Sequence, residues 1–104
     1  MPRPLGTTSL RILAAVRRGR AYGLDIVTRT GLASGTVYPT LGRLRKAGYI
    51  RSSWEDQRVA EREGRPRRRY HELTPEGEAA LKRGAERIRG LAADLDPDVV
   101  GGTA

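Results

Sequence analysis

The stretch GTVYPTLGRLRKAGYI, residues 35–50, constrains this chain more than any other. Val37, Leu41 and Leu44 fall at i, i+4 and i+7, and at about 100° per residue they make one apolar stripe, so the segment is a helix with a core-facing side. The opposite side carries Gly35, Pro39, Gly42, Arg43 and Lys46, flanked by Thr36, Tyr38 and Arg45, and is small, polar and cationic. Proline is nearly free only in the first helical turn, where the N–H groups lack intrahelical acceptors. With Ser34 as cap and an end at Gly48, Pro39 lies about five residues in, at the limit of that allowance. Either the helix begins at Gly35 or Thr36, or it is distorted at Pro39. Interior glycines cost about 1 kcal/mol each, and the compensation expected is a close approach of the backbone to another surface.

Upstream, TTSLRILAAVRRG spaces Leu10, Leu13 and Val16 by three, with Ile12 beside them and Thr8 or Ser9 as cap, which predicts a short helix ending near Gly19. AYGLDIVTRTG sets Leu24 and Val27 three apart and Ile26 four from Tyr22, and Gly31 closes this second helix in the left-handed conformation. Downstream, YIRSSWE and RRRYHEL read as two antiparallel strands around an extended loop, DQRVAEREGRP, that is too long for a tight hairpin. TPEGEAALKRGAERIRGLAADLD opens with Thr74 as cap and Pro75 at the first helical position. Leu81, Gly84, Ile88, Leu91 and Leu95 then form a two-heptad seam. Asp96 and Pro97 stop it, and residues 97–104 are expected to be a flexible tail.

Charge is segregated along the chain. The 104 residues hold 20 Lys+Arg against 12 Asp+Glu, a net charge of +8, and the sequence pI is about 11.0. Residues 1–54 carry ten cations and one anion, residues 65–73 four and one, and residues 74–104 four and six. Two basic blocks thus coincide with the third helix and with the second strand and its approach, a pattern that favours a polyanionic partner. There is no cysteine and one histidine, so neither a disulfide frame nor a zinc cluster is expected, and no cofactor is implied. No apolar leader or membrane-length run is present, which points to a cytoplasmic protein with no membrane partner. No histidine and carboxylate constellation or phosphate-cradling loop suggests an enzyme.

Helix, helix, turn, helix, strand, long basic loop, strand is the order of a winged helix-turn-helix. The expected class is mainly α (α+β): three helices, a two-stranded wing and a C-terminal dimerisation helix. GTVYPTLGRLRKAGYI, SWE, GRPRRRYHELTPEG and AYGLDI together resemble the PadR-type transcriptional regulators over roughly residues 8–80. The resemblance implies a homodimeric repressor in which residues 1–74 bind half of a palindrome on double-stranded DNA and residues 75–96 build the dimer. Thr36, Tyr38 and Pro39 then fall at the start of the recognition helix, Arg43 continues it, and Gly64 to Arg69 form the wing. The loop from Asp56 to Glu63 is longer than the family's minimal form. The C-terminal region is one short helix and lacks the tryptophan with which multidrug-sensing relatives stack planar ligands, so that pocket is not carried over. Effectors in the family commonly act through the dimer region, and no residue here identifies one.

The candidate DNA contacts are Thr36, Tyr38, Pro39, Thr40, Arg43 and Lys46 on the helix, and Arg65, Arg67 and Arg68 on the wing. A charge run is by default a solvated face, and the topology is what favours DNA here. Alternation forbids all the wing arginines from pointing one way, so Arg65 and Arg67 are expected at the tip and Arg68 or Arg69 in a structural role. Trp54 and Tyr70 are expected in the core, and His71 as a surface or packing residue. Leu81, Gly84, Ile88, Leu91 and Leu95 are the expected dimer contacts, because a helix this short gains little alone. The rival is a winged module for structured RNA or a protein.

Overall fold

The computed structural model describes residues 3–96 and 98. The elements run α1 (Thr7–Arg17), β1 (Ala21–Tyr22), α2 (Gly23–Thr30), α3 (Ser34–Lys46), β2 (Ile50–Trp54), α4 (Gln57–Glu63), β3 (Arg69–Leu73) and α5 (Pro75–Leu95). The expected class holds, with two additions: a third strand and a fifth helix. The tail expected at 97–104 lies outside the described residues, Asp98 apart.

The first three helices close around one core. Ile12, Leu13 and Val16 of α1, Ile26 of α2, and Val37, Leu41 and Leu44 of α3 are all buried in a single cluster with Ala21 and Ile50. Burying a side chain of this kind contributes about 1.5–3 kcal/mol, so the stripe on α3 fixes which of its sides is left outward. The stripe proposed for α2 is only half right. Gly23 and Ile26 face inward while Leu24 is exposed, because Tyr22 belongs to β1 and the helix starts one residue later. Gly31 does close α2 with φ 70°.

Helix starts differ from expectation in their caps. Neither Thr8 nor Ser9 caps α1, which starts at Thr7 behind Gly6, and Ser34 is the first residue of α3 behind Ala33 rather than its cap. A backbone carbonyl serves instead at α3, where Ala33 accepts from both Thr36 and Val37 at 2.9 and 3.0 Å. Pro39 therefore sits inside the helix, past the first turn.

The sheet order is β1-β3-β2, antiparallel throughout, with Ile50 opposite Leu73 and Trp54 opposite Arg69. The DQRVAEREGRP segment is not an extended loop. Asp56 accepts from the Arg58 N–H at 2.8 Å and caps α4, Ala60 is buried, and Gly64 at φ 65° ends the helix. These caps were present in the sequence as Asp56 and Gly64.

α5 is seated by its own cap, as expected: Thr74 accepts from the Gly77 N–H at 3.1 Å, and Glu76 and Glu78 lie near the positive helix end. A Cβ on Gly77 would collide with the Tyr49 carbonyl, so glycine is what lets α5 start against the turn after α3. The 21 residues of α5 span about 31 Å, and its buried residues, Gly77, Ala80 and Gly84, all fall in the first half.

Candidate nucleic-acid interface

On α3, Thr36, Tyr38, Pro39, Arg43 and Lys46 are exposed along one side, opposite the buried stripe. A Cβ built on Gly35 or Gly42 would meet no atom of the chain within 4 Å. Nothing inside the protein requires glycine at these two places, so the smoothness they confer is turned outward. Tyr38 lies over Gly23, where any larger residue would enter the tyrosine ring.

Thr40 is the exception. It is 1% exposed, its hydroxyl donates to the Thr36 carbonyl at 2.7 Å, and it accepts from Arg43 Nη2 at 2.9 Å. The expectation that Thr40 touches DNA is corrected: it is covered by the protein and serves to aim Arg43. A threonine whose hydroxyl bonds back to the preceding turn can stay buried because its polar atom is satisfied.

The wing divides its arginines in a way that sequence alternation did not foretell. Arg65, expected at the tip, is half-buried and clamps the Glu55 carboxylate with both terminal nitrogens, at 2.6 and 2.9 Å. Bidentate pairing occupies the guanidinium edge, so Arg65 holds the wing together rather than reaching out. Arg67 is exposed, donates from Nε to the Glu55 carbonyl at 3.0 Å, and lies 5.3 Å from the Trp54 ring centre. Arg68 stacks on Tyr22 at 4.0 Å, and Arg69 lies 5.5 Å from the Trp54 ring centre. Arg20 covers Tyr70 at 4.0 Å, and Tyr22 meets Tyr70 edge-on at 5.7 Å. Cations above aromatic faces each gain about 0.5–2 kcal/mol, more where water is excluded.

Trp54 is not core. At 55% exposed it stands on the wing where the ribbon leaves the body, although Ile50 on the same strand is buried. Tyr70 is half-buried, and His71 is buried as a packing residue, with Nδ1 2.7 Å from the Ser52 hydroxyl. Burial pushes the His71 pKa down to about 4, and the charges of Arg69 and Arg45 add to this. The Arg65 guanidinium holds the Glu55 carboxyl down at about 2, against the opposing effect of desolvation.

The outward side of α3 and the wing meet. Tyr38, Gly42 and Arg45 from α3 and Trp54, Arg67 and Arg68 from the wing line one cleft of about 700 Å³. The carboxylate at the wing root, Glu55, is spent on Arg65. Sequence reasoning missed Tyr22 in the lining of this cleft, and Glu55 and Arg20 as residues that brace it. Only SWE beside GRPRRR, an acid at a strand end facing a basic run, hinted at Glu55.

The dimer candidates separate into two groups. Gly84 is buried, and a Cβ on it would enter Leu10 of the same chain, so it is corrected to an internal contact between α5 and α1. Leu81 packs half-buried against the core. Ile88, Leu91 and Leu95 are 39%, 57% and 77% exposed, a growing apolar stripe toward the end of α5. It continues a shallow apolar groove between α1 and α5 lined by Leu10, Ala14, Ala85 and Ile88. Among the described residues no group of acidic or imidazole side chains is arranged to hold a metal, and no helix is long and apolar enough to cross a membrane.

A helix-turn-helix whose third helix shares a cleft with an arginine-bearing β-ribbon defines the winged helix-turn-helix class. Within that class, the model of the transcriptional regulator PadR-like family matches residues 12–83, and the chain belongs to this family. A PadR family regulator from Clostridium difficile R20291 superposes with a TM-score of 0.78 at 22% identity, covering 90% of this chain and 99% of that one. A Streptococcus mutans UA159 protein gives 0.75 at 29% identity over 100% and 97%, and a transcriptional regulator from Clostridium thermocellum gives 0.71 at 26% over 86% and 87%. No curated protein matches the chain.

Proposed function

We propose that this protein is a cytoplasmic, homodimeric transcriptional repressor that binds a palindromic operator on double-stranded DNA and performs no bond chemistry. α3 enters the major groove, with Thr36, Tyr38, Pro39, Arg43 and Lys46 toward base edges and phosphates. Arg67 and Arg68 of the wing meet the backbone or the minor groove. Residues 1–74 carry DNA binding, and α5 joins two copies through Ile88, Leu91 and Leu95.

The observation that carries this reading is the shared cleft. Tyr38 and Arg45 of α3 and Arg67 and Arg68 of the wing, far apart in sequence, line it together, while Arg43 and Lys46 are exposed on α3 outside the cleft, and this juxtaposition favours a duplex over a merely solvated pair of charge runs. Counterion release then supplies affinity and groove contacts supply sequence choice.

The test is a titration of duplex DNA flanking the protein's own coding region, followed by anisotropy at two salt concentrations. With about six to ten phosphate contacts in the dimer, affinity drops about 10³ to 10⁵ fold between 50 and 200 mM salt. A nearly flat salt dependence contradicts the interface. Structured RNA in competition distinguishes the rival module, because the deep, narrow A-form major groove excludes α3.

A further inference from the structure

Glu55 is a buried carboxylate in a basic protein, 7% exposed, and it sits at the root of the cationic wing. Its contacts all go to the residues that follow α4. The carboxylate takes both terminal nitrogens of Arg65 at 2.6 and 2.9 Å, the backbone N–H of Arg68 at 3.3 Å and the hydroxyl of Tyr70 at 3.5 Å. Its backbone adds two more: the Glu55 carbonyl accepts from Arg67 Nε at 3.0 Å, and the Glu55 N–H donates to the Arg68 carbonyl at 2.8 Å. One residue thereby touches Arg65, Arg67, Arg68 and Tyr70.

The sheet ladder ends at Trp54 and Arg69, so residues 64–68 lie beyond the strand pairing that would hold them. Arg65 N–H reaches back to the Ala60 carbonyl at 3.1 Å, Arg67 and Arg68 lie over the Trp54 and Tyr22 rings, and Arg68 Nη1 donates to the Tyr70 hydroxyl at 3.4 Å, but only Glu55 touches Arg65, Arg67 and Arg68 together. A carboxylate that satisfies its lone pairs on one loop holds that loop, since moving the loop away breaks the bidentate Arg65 pair and the Arg68 and Tyr70 hydrogen bonds together.

We infer that Glu55 and Arg65 form a positioning pair that locks the wing in the shape in which Arg67 and Arg68 meet the DNA backbone. The inference rests on the DNA-binding reading above. It runs against simple electrostatics, and that makes it testable. A carboxylate on a DNA-facing surface repels phosphates, so charge alone says that removing it strengthens binding. A positioning role says the reverse.

The experiment compares the full-length protein with Glu55→Gln, Arg65→Lys and the double variant in anisotropy titrations of one duplex across a salt series. Melting curves confirm that each variant folds. Glu55→Gln is expected to bind roughly tenfold or more weakly although it loses a negative charge, and its salt slope to fall by about one for each phosphate the wing no longer reaches. Arg65→Lys keeps its charge but not the fork, and is expected to weaken binding as much. The double variant is expected to be no worse than either single one, because both remove the same clamp.

Tighter binding by Glu55→Gln, or unchanged binding by Arg65→Lys, overturns the inference. If Glu55→Gln does not fold, the Arg65→Lys result decides the matter alone. Arg43→Ala separates the two levels: weakened binding there with full binding by both clamp variants leaves the DNA reading standing and the clamp refuted. If the unmodified protein binds no duplex, the DNA reading itself fails. Hydrogen exchange at the Arg68 amide still reports on the clamp in that case, and fast exchange in the unmodified protein would end it.

Discussion

The two halves of the cationic surface are held in place by opposite means. On α3, Lys46 stands exposed and Arg43 is steadied by a single threonine, while the wing arginines are each engaged with a ring or with Glu55. A helix supplies its own rigidity through backbone hydrogen bonds, so its side chains can be left for a partner. A two-stranded ribbon leaving the body has little stability of its own and must be braced by side chains. Equal charge density therefore does not mean equal availability. Of the three wing arginines expected to bind DNA, one is consumed in holding the other two.

The most severe test removes the proposed second copy. Leu91→Glu with Leu95→Glu places two charges in the exposed stripe of α5 without touching either half of the surface. Light scattering should then report monomers, and affinity for a two-site duplex should fall about 10² to 10⁴ fold as the intramolecular advantage of the second half disappears. Monomers that retained full affinity would mean that one copy's helix and wing are sufficient. Next in size is Arg43→Ala, expected to cost about 1–3 kcal/mol on the preferred sequence and less on others, so that preference relaxes as affinity drops.

Arg67→Ala sharpens the contrast from the other side. A backbone contact on the wing should weaken all sequences alike and lower the salt slope by about one per wing, leaving preference unchanged. A sequence-dependent effect at Arg67 would move base reading into the wing and erase the division of labour between the two halves.

How much of this was legible before the structure follows from the same contrast. The α3 stripe was readable because Val37, Leu41 and Leu44 repeat at helical spacing, and periodicity is a local property. The two wing strands were readable for the same reason. Which wing arginine would be turned inward was not, since it depends on Glu55 meeting Arg65 across ten residues of chain. Trp54 failed for a related cause: alternation says which side of a strand a residue takes, and the point where the sheet outruns the core is set by tertiary geometry. Likewise α4 hid in a polar segment that buries only Ala60, so no apolar stripe announced it, although Asp56 and Gly64 marked its ends. In α5 the seam was uniform in sequence, yet Gly84 faces Leu10 within the chain while Leu91 and Leu95 face outward. Heptad spacing cannot say where one partner ends and the next begins.

The smallest expected effect concerns acid. α3 contains neither histidine nor carboxylate, whereas the sheet holds His71 on β3 and Glu55 at the wing root. His71 titrates near 4 in the folded protein against an ordinary value of 6.5, because burial and the charges of Arg69 and Arg45 oppose protonation. Between these values the unfolded chain binds the proton more readily, so stability is complete above about pH 6.5 and declines as pH falls toward 4. Glu55 then adds a second decline from about 4.5 toward 2, since its folded carboxyl stays ionised on Arg65 after the unfolded one has taken its proton. Melting temperatures measured through both windows should fall in two stages, with His71→Gln flattening the upper and Glu55→Gln the lower. An unmodified protein whose melting temperature did not move between about pH 6.5 and 4 would place water around the His71 ring, against its burial between β1 and β2.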